Sequence, residues 1–408
     1  MLKSPLVRHA ALLWGLMLFM PVGMNYLGAT LLLTAIFLDG HLATRFVRLR
    51  QHPLWWPGVV FTVWILLVLA LQPVYFPETP SNLFHSLRIV LTLTLALALT
   101  RDETIWALRG LLGATAISVT VIGVHLLVGL PPWKGWLSLI HHDGNKAVSN
   151  ALLFSYLAAS SMMIAASCSG WARYAALAFA VLLMGALAWS LPSRTAMLII
   201  VLTLLAASIH QWRAQRVKLI AASAAMVLVC TLAWLSAPAL PALRDRLVQG
   251  VAELKQAQAG EINSGSWGIR FYMVRQTSEM MLEKPWTGWG IGSWNNQWKS
   301  RMPPQVWGFN MPHNDFLWAG AQAGIPGALA LLTIVLSGVL QCWRRRDLTG
   351  RLGMMAALTL LLASTTNSAM RDAAIGLSLV WVVGLILRLA AEPDDAAKDV
   401  IPRRSDLN

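Results

Sequence analysis

The sequence predicts an all-α polytopic membrane protein with about twelve transmembrane helices and one large, mostly helical periplasmic loop. Two observations concern composition. Of the 408 residues, 57% are hydrophobic and only 12% are charged, whereas soluble domains have about 25% charged residues. The third observation is that the apolar residues form successive runs of the length that a bilayer requires. These features place the chain among membrane proteins.

The formal net charge of +14 does not indicate a nucleic-acid-binding protein. The cations occur in short tracts between apolar runs, whereas a nucleic-acid-binding protein would concentrate them on one face. Cys168, Cys230 and Cys342 lie in or beside apolar runs and form neither a CxxC pair nor a disulfide framework. The composition therefore predicts membrane lipids as partners and no nucleic acid.

Twelve apolar runs meet or approach the roughly 20 residues that a helix needs to cross the hydrocarbon core. Spans 1–9 are predicted within residues 1–238, the loop at 239–313, spans 10–12 within 314–391 and a tail at 392–408. The first two runs are short and are separated only around Pro21, so they are expected to form a tight hairpin. The predicted spans are 9–22, 24–39, 54–73, 83–100, 106–130, 148–169, 172–190, 194–210, 217–238, 314–342, 352–369 and 374–391.

Lysine and arginine are concentrated in alternate connections between these spans. Residues 72–82 form one of the intervening connections and include no lysine or arginine. By the positive-inside rule, the basic connections and both termini face the cytoplasm, and the loop at 239–313 faces the periplasm from the bacterial inner membrane. The basic connections contain Arg45, Arg48 and Arg50; Arg101; Arg173; Arg213, Arg216 and Lys218; and Arg344, Arg345, Arg346 and Arg351.

The loop at 239–313 is predicted to contain the reactive groups. Apolar residues recur at spacings of three and four from Leu240 to Leu254, which is typical of an amphipathic helix on a membrane surface. A second helix is predicted from Trp267 to Glu283, with Pro285 ending it. Five tryptophans follow, which we interpret as an interfacial aromatic belt in preference to sugar-stacking residues. They are Trp286, Trp289, Trp294, Trp298 and Trp307.

Arginines near the ends of spans are candidate substrate-binding residues, because a charge at the membrane costs several kcal/mol unless it has a partner. Guanidinium groups bind phosphate oxygens in pairs and stay charged at any relevant pH. Arg270 and Arg275 lie on one predicted helix, where five residues correspond to a rotation of roughly 140°, so only one faces a given site. Snorkelling to lipid headgroups is the alternative interpretation for each arginine. The candidates on the outer side are Arg88, Arg194, Arg270, Arg275 and Arg371.

His313 is the candidate general base. It follows Pro312 at the boundary between the loop and the tenth span, and a neutral imidazole can take a proton from a hydroxyl nucleophile. Asp315 or Asp372 could orient it, and the sequence leaves both open. The alternative interpretation is a helix-capping or interfacial histidine.

No metal or other cofactor is predicted. His141, His142 and Asp143 are adjacent, but neighbours in sequence rarely share a metal, and no further ligands are suitably spaced. The outer side has no Asp-x-Asp pair, so a metal-bound pyrophosphate is not supported. The glycines of Gly288–Gly292 superficially resemble a dinucleotide-binding loop, but no βαβ unit surrounds them, so we predict a turn.

Two motifs resemble those of the O-antigen ligase and polymerase superfamily. His313-Asn314-Asp315-Phe316-Leu317, followed by Ala323–Gly327, resembles the family's His-Asn-x-x-Leu…Gly-x-x-Gly signature. Arg270 with Pro285 and Gly288-Trp289-Gly290 resembles its Arg…Pro-x-x-Gly-x-Gly pattern.

A third motif is Ser193-Arg194, which resembles the family's Ser-Arg at the start of a span. With one large outer loop late in the chain, the order of the motifs extends the resemblance over most of the sequence. The second arginine, Arg275, departs from the pattern. We assign the family's role to Arg270, because its distance to Pro285 fits.

The resemblance implies a glycosyltransferase with a lipid-linked donor. Ligases of this family move O-antigen polysaccharide from undecaprenyl pyrophosphate to a sugar hydroxyl of lipid A–core. The implied mechanism is metal-independent inversion at the anomeric carbon, in which His313 deprotonates the acceptor while Arg194 and Arg270 bind the pyrophosphate. The residues expected to contact substrate are Arg88, Arg275, Arg371, Asn314 and Asp315.

The nearest alternative is an O-antigen polymerase of the same superfamily. Those polymerases tend to have two large outer loops, whereas only one outer loop is long here. This difference favours a ligase by analogy of fold. Protein-glycosylating relatives tend to be longer chains. A flippase or transporter without catalysis would place charged residues at mid-membrane and show inverted repeats, and the sequence shows neither pattern.

Overall fold

The structure is a computed structural model that describes residues 5–131, 133, 137–140, 144–191, 193–213, 215, 217, 220, 241–259 and 266–392. Within these residues all regular secondary structure is helical. The helices before the loop are α1 (Pro5–Met17), α2 (Val22–Leu38), α3 (Leu42–Gln51), α4 (Trp55–Leu71), α5 (Thr79–Leu97), α6 (Arg101–Val128), α7 (Leu137–Ile140), α8 (Gly144–Ser167), α9 (Gly170–Trp189) and α10 (Arg194–Trp212). The later helices are α11 (Pro241–Gln258), α12 (Ser266–Glu283), α13 (Trp294–Arg301), a 3-10 turn (Pro304–Val306), α14 (Asp315–Arg344), α15 (Leu348–Thr366) and α16 (Ala373–Ala390).

Seven helices in the described part of the chain are long and apolar enough to cross a membrane, or eight if the bent pair α2–α3 counts as one span. Eleven of the twelve predicted spans coincide with helices, and the other, 217–238, lies outside the described residues except for 217 and 220. Several of these helices are short, since α1 has 13 residues and α4 has 17, against the roughly 20 that a span needs. The multi-pass character is confirmed, and the count of twelve is not.

Hydrogen bonds between helices identify the two ends of the bundle. At one end, the His210 ring lies 3.2 Å from the Trp343 carbonyl oxygen, to which Arg213 donates at 2.8 Å. The carboxyl ends of α10 and α14 therefore lie together. Both helices pack along α15, so their amino-terminal residues, Arg194 and Asp315, lie at the opposite end. We call this opposite end, at which His313 precedes α14, the His313 end.

The helices of the loop pack against the His313 end. Tyr272 of α12 donates from its hydroxyl to the Ala257 carbonyl oxygen of α11 at 3.0 Å. Helix α12 in turn packs against α14, where Gly320 allows close approach, since a Cβ atom there would lie 2.4 Å from the Met281 sulfur. The second predicted loop helix is confirmed within one residue, because α12 spans Ser266–Glu283.

A break inside α14 joins the loop to the bundle. Gly324 has φ 72° and ψ −179°, which interrupts the helix and frees backbone groups for other partners. The Trp289 and Gly290 N–H groups donate to the carbonyl oxygens of Ala321 and Gln322 at 2.9 and 3.0 Å, and Ile325 N–H donates to the Pro285 carbonyl at 2.7 Å. The two glycine-containing motifs of the sequence therefore bind each other, and this contact fixes α12 relative to α14.

Substitution of Gly324 by alanine is expected to lower the thermal unfolding temperature. Its Cβ atom would lie 2.3 Å from the Trp286 carbonyl oxygen, and a non-glycine residue in this conformation adds about 1–3 kcal/mol of backbone strain. Unfolding in detergent would be compared with that of Gly185→Ala, because Gly185 in α9 has no atom within 4 Å of an added Cβ. Equal unfolding temperatures for the two variants would contradict this role of the break.

Two of the loop tryptophans do not form an interfacial belt. Trp294 and Trp298 are buried and stacked, with ring centroids 5.3 Å apart. Their indole N–H groups donate to Thr277 Oγ1 and the Val306 carbonyl oxygen, both at 3.0 Å. Only Trp286 and Trp307 of the five are exposed. The belt interpretation is wrong for the buried pair, because both rings belong to the hydrophobic core of the protein.

Candidate active site

His313 lies in the short segment that leads into α14. Its φ of 53° is in the left-handed region, which non-glycine residues rarely adopt. The next residue, Asn314, caps α14 by accepting from the N–H groups of Phe316 and Leu317 at 3.0 Å. The Asn314 side-chain amide also donates to the Thr365 carbonyl oxygen at 3.3 Å. Asn314 therefore fixes the segment on which His313 lies.

The Asp315 side chain is fully buried and supports a neighbouring turn. Its carboxylate oxygens accept from the backbone N–H groups of Met370 and Arg371 at 2.7 and 3.0 Å. Hydrogen bonds to a carboxylate are about twice as strong as neutral ones. Asp315 thus holds the turn between α15 and α16 against the start of α14, and so brings Arg371 to the His313 end.

Arg371 and Asp372 lie in that turn. The Arg371 guanidinium lies over the Trp318 ring, 5.7 Å from its centroid, and its buried Nε atom has no hydrogen-bond partner. Burial lowers the pKa of Arg371, an effect that Asp315 and Asp372 oppose; arginine nevertheless stays charged. The Asp372 carboxylate caps α16 by accepting from Ala374 N–H at 2.8 Å.

His313 lies within electrostatic range of three charged residues. Burial is the largest effect on its imidazole and lowers its pKa; Arg270 and Arg371 lower the pKa further, and Asp372 raises it. The net result is a pKa of about 4. The imidazole is therefore neutral at physiological pH and has a nitrogen that can accept a proton.

The structure separates the two arginines of α12. Arg270 is half-buried and acts electrostatically on His313. The Arg275 side chain is 60% exposed, and its Nε atom donates to Glu279 at 3.0 Å. The rotation of the helix between them accounts for this difference. Arg270 therefore belongs to the cluster around His313, and Arg275 lies on a solvated face.

Arg88 of α5 reaches the same turn. It is only 3% exposed and donates to the Arg371 carbonyl oxygen, to the Tyr26 hydroxyl at 3.0 Å and to His85 Nδ1 at 3.0 Å. His85 was not among the residues predicted from the sequence, although its position three residues before Arg88 on one helix is a usable signal. Because Arg88 only donates, His85 Nδ1 accepts, and the other ring nitrogen, 3.2 Å from Ser81 Oγ, carries the proton.

The structure leaves two predicted features without a described side chain, the arginine at the start of α10 and the adjacent histidines and aspartate at 141–143. Arg194 begins α10 at the His313 end, where Ser193 caps the helix by accepting from Ala196 N–H at 3.3 Å. The Arg194 side chain and the residues 141–143 lie outside what the structure describes. In the described part of the chain, no three histidine, cysteine or acidic side chains are grouped as metal ligands.

One comparison with known proteins gave a match. A family model described as O-antigen ligase matches residues 178–332. The matched region contains the start of α10, the loop helices, His313 and the break in α14. A search of curated proteins gave no match. The region 178–332 is therefore similar to the O-antigen ligase family, in a chain that has the apolar helices of a multi-pass membrane protein.

Proposed function

We propose that this protein is an O-antigen ligase, which transfers O-antigen polysaccharide from undecaprenyl pyrophosphate to a sugar hydroxyl of lipid A–core. One observation carries the proposal. A neutral imidazole, His313, lies with the guanidinium groups of Arg270 and Arg371 at one end of a membrane-type helix bundle. This combination suits a reaction in which a hydroxyl loses a proton while a pyrophosphate gains negative charge.

The reaction is a direct displacement at the anomeric carbon of the donor sugar. His313 accepts the proton of the acceptor hydroxyl as the acceptor oxygen forms its bond to that carbon. The bond to the pyrophosphate oxygen breaks, and its electron pair leaves with undecaprenyl pyrophosphate. The imidazolium then releases its proton to water, and the anomeric configuration is inverted. No step requires a metal, because arginines stabilise the charge on the leaving group.

Arg270 and Arg194 are proposed to bind the pyrophosphate. Arg270 is supported by its electrostatic interaction with His313, which places its charge near the proton-transfer step. Arg194 is supported by the start of α10 at the His313 end and by its Ser-Arg motif. The planar guanidinium contacts two phosphate oxygens at once, which an ammonium group cannot do.

We further propose twelve spans with the His313 end in the periplasm. Arg213 and the connection containing Arg345 lie at the other end of the bundle, as the positive-inside rule requires of the cytoplasmic side. The periplasm lacks ATP, so the energy for transfer comes from the sugar–pyrophosphate linkage of the donor.

Reconstitution tests the proposed reaction directly. Purified protein would be incubated in liposomes with undecaprenyl pyrophosphate-linked polysaccharide and lipid A–core, with and without a chelator. We expect polymer on lipid A–core in both conditions. Elongated polymer that stays on the polyprenyl carrier would instead identify a polymerase. Movement of the donor between leaflets without any new glycosidic bond would identify a flippase.

The pH dependence of transfer is expected to reflect the low pKa of His313. The neutral form is the base, so kcat/KM is lost as pH falls through about 4, where the imidazole of the free enzyme becomes protonated. Above about pH 5 most of the imidazole is neutral, so kcat/KM no longer rises with its deprotonation. Initial rates at subsaturating donor, measured from about pH 3.5 to about pH 8, would give this profile. Half-maximal kcat/KM near 6.5, the ordinary histidine value, would contradict this assignment.

A further inference from the structure

Two buried arginines lie in contact beside the proposed catalytic base. Arg88 is 3% exposed and Arg371 is 8% exposed. Arg88 Nη2 donates to the backbone carbonyl oxygen of Arg371, and the two guanidinium groups repel each other, since Arg88 lowers the pKa of Arg371. Packing two like charges into a buried corner is unfavourable unless an anion offsets them.

No carboxylate pairs directly with either arginine. Across the described residues, neither guanidinium lies within the 4.0 Å of an acidic oxygen that defines an ion pair. Asp315 and Asp372 act on Arg371 from a greater distance, and their oxygens accept from backbone N–H groups. Within the described residues, neither acid therefore forms an ion pair with Arg88 or Arg371.

The hydrogen bonds of the pair leave donors for a ligand. Arg88 donates to three neutral acceptors, the Tyr26 hydroxyl, His85 Nδ1 and the Arg371 carbonyl oxygen, out of the five N–H groups of a guanidinium. Arg371 Nε is buried without a partner. Buried N–H groups are almost always satisfied, so this Nε atom is available to donate to a bound group.

The surroundings indicate which anion fits. Two planar guanidinium groups match the tetrahedral oxygens of a phosphate. The corner lies where α16 begins, at the His313 end of the bundle. Beside it, Phe84 is 49% exposed and stacks on Tyr26, with ring centroids 6.1 Å apart, which provides an apolar border for a lipid chain.

We propose that Arg88 and Arg371 form a phosphate-binding site for a phosphate group attached to a lipid, in addition to the pyrophosphate contacts proposed for Arg270 and Arg194. His85 and Tyr26 are positioning residues that hold Arg88. The proposal rests on the proposed function, in which both substrates are lipids of the membrane surface. The phosphate has two sources, a polyprenyl carrier or a phosphorylated acceptor lipid, and both present the same chemistry.

Binding measurements on the full chain test the site without transfer. The protein would be purified in phosphatidylcholine nanodiscs and titrated with undecaprenyl phosphate, with lipid A that has its phosphates and with dephosphorylated lipid A. We expect Arg88→Gln to weaken binding of one phosphorylated lipid at least tenfold, and Arg371→Gln to weaken the same one. The lipid affected identifies the source of the phosphate. Arg275→Gln is the matched control, since it removes an exposed arginine that pairs with Glu279.

The conservative variant Arg88→Lys distinguishes a loss of phosphate binding from a failure of the protein to fold. Arg88→Lys keeps the positive charge and loses the planar fork, so it is expected to fold and to bind the phosphorylated lipid with intermediate affinity. Unchanged affinity of Arg88→Gln for both phosphorylated lipids would overturn the proposal. So would an equal loss for dephosphorylated lipid A, because the phosphate would then be irrelevant. If neither glutamine variant folds, unchanged affinity in Arg88→Lys overturns it.

The same titration is independent of the proposed catalysis. A protein with His313→Asn is expected to bind the phosphorylated lipid with wild-type affinity, because His313 is not a ligand in this site. If the wild-type protein binds the phosphorylated lipid but transfers no sugar, the proposed function is overturned and the phosphate site is left intact. Normal transfer by the wild-type protein, with no difference in lipid affinity among the Arg88 variants, would overturn the phosphate site and leave the proposed function intact.

Discussion

Replacement of His313 by asparagine is expected to abolish measurable glycosyl transfer while leaving the protein folded. A positioned general base contributes about 10²–10⁴-fold to a rate, and asparagine cannot accept a proton at neutral pH. Asparagine also tolerates the left-handed backbone better than most residues, which suits the φ of 53° at this position. Transfer to lipid A–core would be measured in reconstituted liposomes, and folding by thermal unfolding in detergent.

A histidine outside the site is the control for this variant. His41 precedes α3 near Asp39, with its side chain 48% exposed, and His41→Asn is expected to keep transfer within about twofold, as an exposed substitution does. Wild-type transfer by His313→Asn would remove His313 from the mechanism. A fall in the unfolding temperature that matches the loss of activity would reassign His313 to a structural role.

Sequence patterns predicted the elements that depend on local chemistry. The helix at 267–283 was predictable because Pro285 ends it, and α12 spans Ser266–Glu283. The predicted proximity of His313 to Arg270 came from family motifs, since no local pattern relates residues on a loop helix to those before α14. The structure now provides a physical reason for that proximity, in the backbone pairing between the Pro285–Gly292 turn and the break at Gly324.

Other features depend on contacts between distant residues and had no sequence signal. Arg88 and the Arg371 carbonyl oxygen are 283 residues apart, so their contact follows only from the packing of α5 against α16. Asp315 was expected to contact substrate or to orient His313, whereas its oxygens bind the backbone of a turn from another hairpin. Arg45 was predicted in a basic connection that faces the cytoplasm, and the structure adds that it is buried between Asp39 and Glu103. The charge of a residue indicates which end of the helix bundle it favours, but it does not indicate which residue will pair with it.

Arg270→Gln is expected to reduce kcat by about 10²–10³-fold, the effect of removing one group that stabilises developing charge in a transition state. Arg270→Lys should recover only part of this loss, because a point charge does not replace a planar fork. The matched control is Arg275→Gln on the same helix, where the side chain is 60% exposed and paired with Glu279. Its kcat is expected to stay within about twofold of wild type.

The pH profile distinguishes this role from a merely structural one. Arg270 lowers the pKa of His313, so its removal lets the imidazole protonate at a higher pH. The acid limb of kcat/KM is therefore expected to move upward in Arg270→Gln, to move less in Arg270→Lys and to stay in place in Arg275→Gln. A loss of kcat without this shift would show that Arg270 acts at a distance from His313. The shift together with the loss requires the guanidinium and the imidazole to share one site, which is the arrangement that the proposed displacement needs.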